Sequence, residues 1–156
     1  MQSIAVEAFW QAYCATCADH EARRHASYDA WQFGDNERMA DTLGQLVLSG
    51  TKTATAGLIW EDEHCGWRTP TIGDKTIILD SAGHPLCVIE TTAADIVPFN
   101  AVDAAFARLE GEGFATVDDW RQAHWRYFAQ RCQEIGREPD EEMPILCQQF
   151  CVVYPR

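Results

Sequence analysis

The stretch Ser49-Gly50-Thr51-Lys52-Thr53-Ala54-Thr55-Ala56 constrains this chain more than any other. Upstream of it, Met39, Leu43, Leu46 and Val47 recur at helical spacing and predict a helix over residues 36–48. Gly50 stands where a helix C-cap takes the left-handed conformation, which glycine adopts without steric cost. The threonines and small residues beyond it favour an extended strand and allow close approach of a ligand. The chain is thereby committed to mixed α and β structure. The same stretch carries chemistry, since a lysine with three hydroxyls beside it follows directly on a helix end. Thr55 is a candidate nucleophile, and Lys52 a candidate to activate it or to stabilise an anion. In a regular strand, residues three apart face opposite sides, so pairing these two requires a bend or bulge between them. The competing reading is a surface strand with a solvated lysine.

The rest of the chain supplies the partners of that junction. Residues 4–26 predict a first helix from Ile4, Phe9, Ala12, Tyr13, Ala15 and Cys17, with a charged, His-rich end. Residues 28–35 are aromatic and irregular; Trp31 and Phe33 either line a ligand pocket or cover a core, and burial is the commoner use of such rings. Asp35 or Asn36 caps the helix that follows. Leu58-Ile59-Trp60 continues apolar after the central stretch, and Glu61 to His64 reads as an acidic loop. Residues 76–80 and 86–92 are β-rich arms joined through Ser81-Ala82-Gly83, the clearest hairpin in the chain. A short helix over residues 101–109 ends in Glu110-Gly111-Glu112-Gly113. Thr116 then caps a helix over residues 117–135, with Trp120, His124, Phe128 and Cys132 at four-residue spacing on one side. Residues 145–154 have the apolar density of a buried strand. These elements predict a single α+β domain with a mainly antiparallel, curved sheet and helices packed around it.

Composition narrows the functional classes. With 156 residues, 47% hydrophobic and 23% charged, the chain is long enough for a substantial core and has no disordered bias. No apolar run approaches the roughly 20 residues that span a bilayer, and the N-terminus lacks the pattern of a signal peptide, so a cytoplasmic protein is expected. Seven cysteines cannot all pair internally. Cys14 and Cys17 lie within a helical segment, and His20 and His25 do not complete a standard zinc spacing, so inert cysteines are expected and a metal or cofactor is not. A net charge of −12 argues against broad nucleic-acid binding, although Arg68, Lys75, Arg121 and Arg126 offer a local basic patch.

Taken in order, Phe33-Gly34-Asp35, Ala40, Leu43, Leu46-Val47, Gly50-Thr51-Lys52-Thr53-Ala54-Thr55, Gly73-Asp74, Glu110-Gly111-Glu112-Gly113, Trp120, His124 and Phe150 to Tyr154 resemble the ASCH domain family. The resemblance spans residues 28 to 155, with residues 1 to about 27 as a helical extension before it. It implies a PUA-like β-barrel surrounded by helices, with a cleft for a nucleoside or a short RNA segment. Some small bacterial members are amidohydrolases that release cytidine and an acid from N4-acylated cytidines. Their catalytic set is a lysine and a threonine of a K-T-x-T motif and a glutamate of a later acidic loop. Carried onto this chain, the set is Lys52, Thr55 and Glu112, favoured by the E-x-E spacing, with Glu110 in reserve. Trp31, Phe33, Thr53, Arg68 and Glu110 are then expected around the substrate. Other members have been assigned RNA binding or ribonuclease activity, which remain the alternatives, and the segment from Trp60 to Trp67 departs from the smallest members. Whether Glu112 is the base and Lys52 the stabiliser, or the reverse, is open at this level.

Overall fold

In the computed structural model, residues 3–156 are described, and they form two compact units. Of the described residues, the first comprises 3–51, 73–91 and 150–156, and the second 52–72 and 92–149.

In the first unit, α1 (Ile4–Ala15) starts at Ser3, whose hydroxyl accepts from the Val6 N–H, and it is followed by the separate short helix α2 (His20–Arg24). The single helix expected over residues 4–26 is therefore two. Thr16 turns its hydroxyl back onto the Tyr13 carbonyl at the end of α1, a bond that competes with continuation of the helix. Strand β1 (Asp29–Trp31) pairs in parallel with β3 (Lys75–Leu79), and β3 pairs antiparallel with the first part of β4 (Pro85–Pro98). This is the hairpin expected from sequence, with a register shift at Ile78/Leu79. Helix α3 (Glu37–Leu48) is capped by the Asn36 side chain, which accepts from the Met39 N–H at 3.0 Å. It ends as the sequence requires: Gly50 has φ 76°, and the Thr51 N–H returns to the Leu46 carbonyl at 3.0 Å. Two apolar clusters fill this unit, one around Phe33, Leu43, Val47 and Phe150, the other around Trp10, Tyr13, Ile77 and Val88.

In the second unit, β2 (Ala54–Leu58) pairs antiparallel with β5 (Pro144–Tyr154), with Thr55 opposite Gln148. The segment expected as an acidic loop is instead helix α4 (Ile59–Cys65). Glu61 and Asp62 lie in its first turn, where negative charge meets the positive helix end, and Gly66 closes it in the left-handed region at φ 69°. Helix α5 (Ala104–Leu109) begins at Asp103, whose carboxylate accepts from the Phe106 N–H. Helix α6 (Val117–Glu134) begins with a reciprocal capping box between Thr116 and Asp119. Ala54, Leu58, Phe106, Trp120, Phe128 and Ile145 share one core here. Among the described residues, no helix is long and apolar enough to cross a membrane.

Candidate active site

The feature that organises the second unit chemically is a buried lysine. The Lys52 side chain is 1% exposed. Lysine is almost never buried to that degree unless its charge is paired, so something must meet it. Glu112 does: Lys52 Nζ donates to Glu112 Oε2 at 2.8 Å and to the Glu110 backbone carbonyl at 3.4 Å. Two short segments far apart in sequence hold this arrangement. Thr53 ties the head of β2 to the end of α5, its N–H and its hydroxyl both donating to the Leu109 carbonyl, at 2.8 and 3.1 Å. Gly111, at φ 65°, turns the chain between the two glutamates so that the carbonyl of one and the carboxylate of the other converge on the ammonium.

Behind the pair lies a second network. The Glu110 carboxylate is 1% exposed; its Oε2 accepts from Trp120 Nε1 at 2.6 Å and faces His124 Nε2 at 3.1 Å. Helix α6 sets Trp120 and His124 four residues apart on one face, their rings stacked at 4.0 Å with 14° between planes. His124 Nδ1 lies 3.0 Å from the Trp120 carbonyl. A carbonyl only accepts, so Nδ1 carries a proton, and one further proton is shared between Nε2 and Glu110. Burial pushes the Glu110 carboxyl up, but the His124 hydrogen bond, the charges of Lys52 and His124 and the Trp120 hydrogen bond outweigh it and hold the group below its usual range. Glu110 therefore meets Trp120 and His124 as a carboxylate.

Ligand atoms of Glu110, Glu112 and His124 lie within 4.8 Å of one another, and these are the residues that would hold a cation. The Lys52 ammonium takes the cation's position against Glu112, while Trp120 and His124 engage Glu110. The arrangement suits charge stabilisation and proton transfer. Glu112 Oε2 is committed to Lys52, whereas its other oxygen makes no hydrogen bond among the described residues.

The other residues expected around the site are placed as follows. Thr55 is half-buried on β2, and its hydroxyl makes no hydrogen bond among the described residues. Ala54, Ala56 and Leu58 pack into the core, so alternation turns Thr55 to the other face, beside Gln148. Lys52 lies ahead of the regular strand, so the two-residue period does not extend to it. Thr53 spends its hydroxyl on Leu109, and Arg68 donates to the Thr69 carbonyl at 3.4 Å in the segment after α4. Trp31 and Phe33 belong to the first unit, where their rings meet edge to face at 4.6 Å and Phe33 is buried with Leu43 and Phe150. Sequence reasoning set His124 among apolar neighbours and missed its bond to Glu110. The available signal was a histidine and a tryptophan at i, i+4, shortly after an E-x-E loop. Asp62, on α4, is a further perturbed acid: burial, then Glu61 and Glu63, push it up to about 6.

The ASCH domain family model matches residues 29–154. The crystal structure of an ASCH domain from Lactobacillus crispatus JV V101 superposes with a TM-score of 0.90 at 28% identity, covering 99% of this chain and 97% of that one. Protein EF3133 from Enterococcus faecalis V583 superposes with a TM-score of 0.85 at 36% identity, covering 96% and 88%. No curated protein matches the chain. The α+β, PUA-like fold expected from the sequence is the fold these matches support.

Proposed function

The chain belongs to the ASCH domain family, and from that premise we propose that it is an amidohydrolase removing the acyl group from N4 of an acylated cytidine or cytosine. The observation that carries this reading is the buried Lys52–Glu112 pair at 2.8 Å, formed by the lysine of the K-T-x-T segment and the second glutamate of the acidic loop. Lys52, held by the Glu112 carboxylate and the Glu110 carbonyl, supplies positive charge for the oxyanion. Glu112 is the base, through the oxygen that Lys52 leaves free.

Thr55 Oγ attacks the acyl carbon as its proton passes to Glu112. The C–N4 bond then breaks, and the amine of cytidine takes that proton back. Water attacks the acyl-threonine ester and gives a proton to Glu112; the C–Oγ bond breaks, Thr55 Oγ takes that proton from Glu112, and the acid leaves. Each proton is returned in the cycle, so these residues complete the reaction without a redox step. The test is cytidine release from N4-acetylcytidine by the purified protein. Turnover well above that of Lys52→Ala is expected, and turnover at the level of that variant across several acyl groups refutes the reading.

One observation favours a second reading, a module that binds a short single-stranded RNA. Trp67 is 61% exposed and adjoins Arg68, an open aromatic face beside a cation in the unit that holds Lys52. That reading predicts salt-dependent RNA affinity and no cytidine release, so the same protein assayed on both ligands separates the two. RNA fragments would instead indicate a ribonuclease.

A further inference from the structure

Glu110 is the better buried of the two loop glutamates, and the reaction above gives its carboxylate no task. A carboxylate at 1% exposure is costly to desolvate, so its retention needs an account beyond packing. Its two ends act on different partners. The side chain is anchored inward by Trp120 Nε1 at 2.6 Å and His124 Nε2 at 3.1 Å. Its backbone carbonyl has a different partner, accepting from Lys52 Nζ at 3.4 Å. Glu112, one left-handed glycine further on, grips the same ammonium. The loop is thus held by α6 through the Glu110 side chain and meets Lys52 through the Glu110 carbonyl and the Glu112 carboxylate.

Resting on the amidohydrolase reading, we propose that Glu110 is a positioning residue that acts through Lys52. Its anchoring by Trp120 and His124 holds the Glu110 carbonyl and the Glu112 carboxylate at the spacing that keeps the Lys52 ammonium in place. Two side chains of one helix face grip a single carboxylate, and hydrogen bonds to an ionised acceptor are about twice as strong as neutral ones. Without the carboxylate, the loop is free to swing about Gly111, and Lys52 loses the alignment of both acceptors. Substrate binding does not depend on this alignment, but the transition state does. Glu110 therefore bears on kcat and not on KM.

The experiment compares wild type, Glu110→Gln and Trp120→Phe, the last removing the indole donor while keeping an aromatic ring should Glu110→Gln not fold. Two readouts are taken on folded protein: kcat and KM on N4-acetylcytidine, and the rate at which trinitrobenzenesulfonate labels the Lys52 amine, located by peptide mass spectrometry. We expect kcat to fall about a hundredfold, the effect of about 1 Å of misplacement, with KM nearly unchanged. Lys52 labelling should accelerate about tenfold as the loop opens locally. Wild-type labelling rates in both variants overturn the proposal, whatever kcat does. Should the wild type release no cytidine, the amidohydrolase reading falls, and labelling still decides the positioning role, faster in the variants for it and unchanged against it.

Discussion

Removing one member or the other of the Lys52–Glu112 pair should cost different amounts of stability, because the two are unequally buried. The Lys52 side chain is 1% exposed and that of Glu112 is 18% exposed. Lys52→Met leaves a carboxylate that still reaches water, together with a carbonyl that has lost one donor. A buried acceptor deprived of a partner costs about 1–3 kcal/mol, and because Glu112 reaches water the loss lies at the lower end of that range. Glu112→Ala leaves an ammonium that water does not reach, and stripping one partner from a buried pair costs about 3–5 kcal/mol. Glu110, whose carboxylate already feels the Lys52 charge, softens that loss without removing it. In a chain of this size each kcal/mol lowers the melting temperature by about 2–4 °C, so Glu112→Ala should melt roughly 10 °C below wild type and Lys52→Met roughly 4 °C below. Glu112→Gln keeps an acceptor against Lys52 and should fall between. Urea unfolding at pH 7, with thermal melts alongside, measures all three. Lys52→Met costing as much as Glu112→Ala, or more, would refute the reasoning.

Thr55→Ala should abolish turnover of N4-acetylcytidine and leave urea stability within about 0.5 kcal/mol, since its hydroxyl bonds to nothing among the described residues. Asp62 is held protonated to about pH 6 by burial, so its favourable contribution is complete below the ordinary aspartate range and is lost as pH rises to about 6. Asp62→Asn should therefore stabilise by about 1 kcal/mol at pH 8, after discounting for screening of a half-exposed group, and by less at pH 4.5, as read from melts at the two values. Gly34→Ala should destabilise by about 1–3 kcal/mol in urea unfolding, because φ is 75° and the new Cβ would stand 2.5 Å from Met39 Cβ.

What the sequence disclosed depended on whether the physics was local. The cap of α3 (Asp35 or Asn36 by sequence, Asn36 in the structure), the left-handed Gly50 and the Thr116 cap are settled within a few residues, and each was legible. The hairpin of β3 and β4 was legible because its β-branched runs flank a glycine-containing turn. Helix α4 was not, because seven residues with three acids in a row show no apolar period, although the acids suit a helix start. Strand β1 has three residues and exists through its parallel partner β3, which no local pattern announces. At the site, Lys52 and the two glutamates were visible through the motif. Which of the two carboxylates is buried against α6 was not, since that contact is made across the fold.

The central claim is that Lys52, Thr55 and Glu112 act as one unit on one transition state, and the measurement that tests it most directly is a kinetic cycle on N4-acetylcytidine. Thr55→Ala, Glu112→Gln and the double variant are compared by kcat/KM. Groups that serve the same step are lost together, so the account predicts a double variant little worse than the worse single one. Losses that multiply, or singles that retain wild-type turnover, would contradict it.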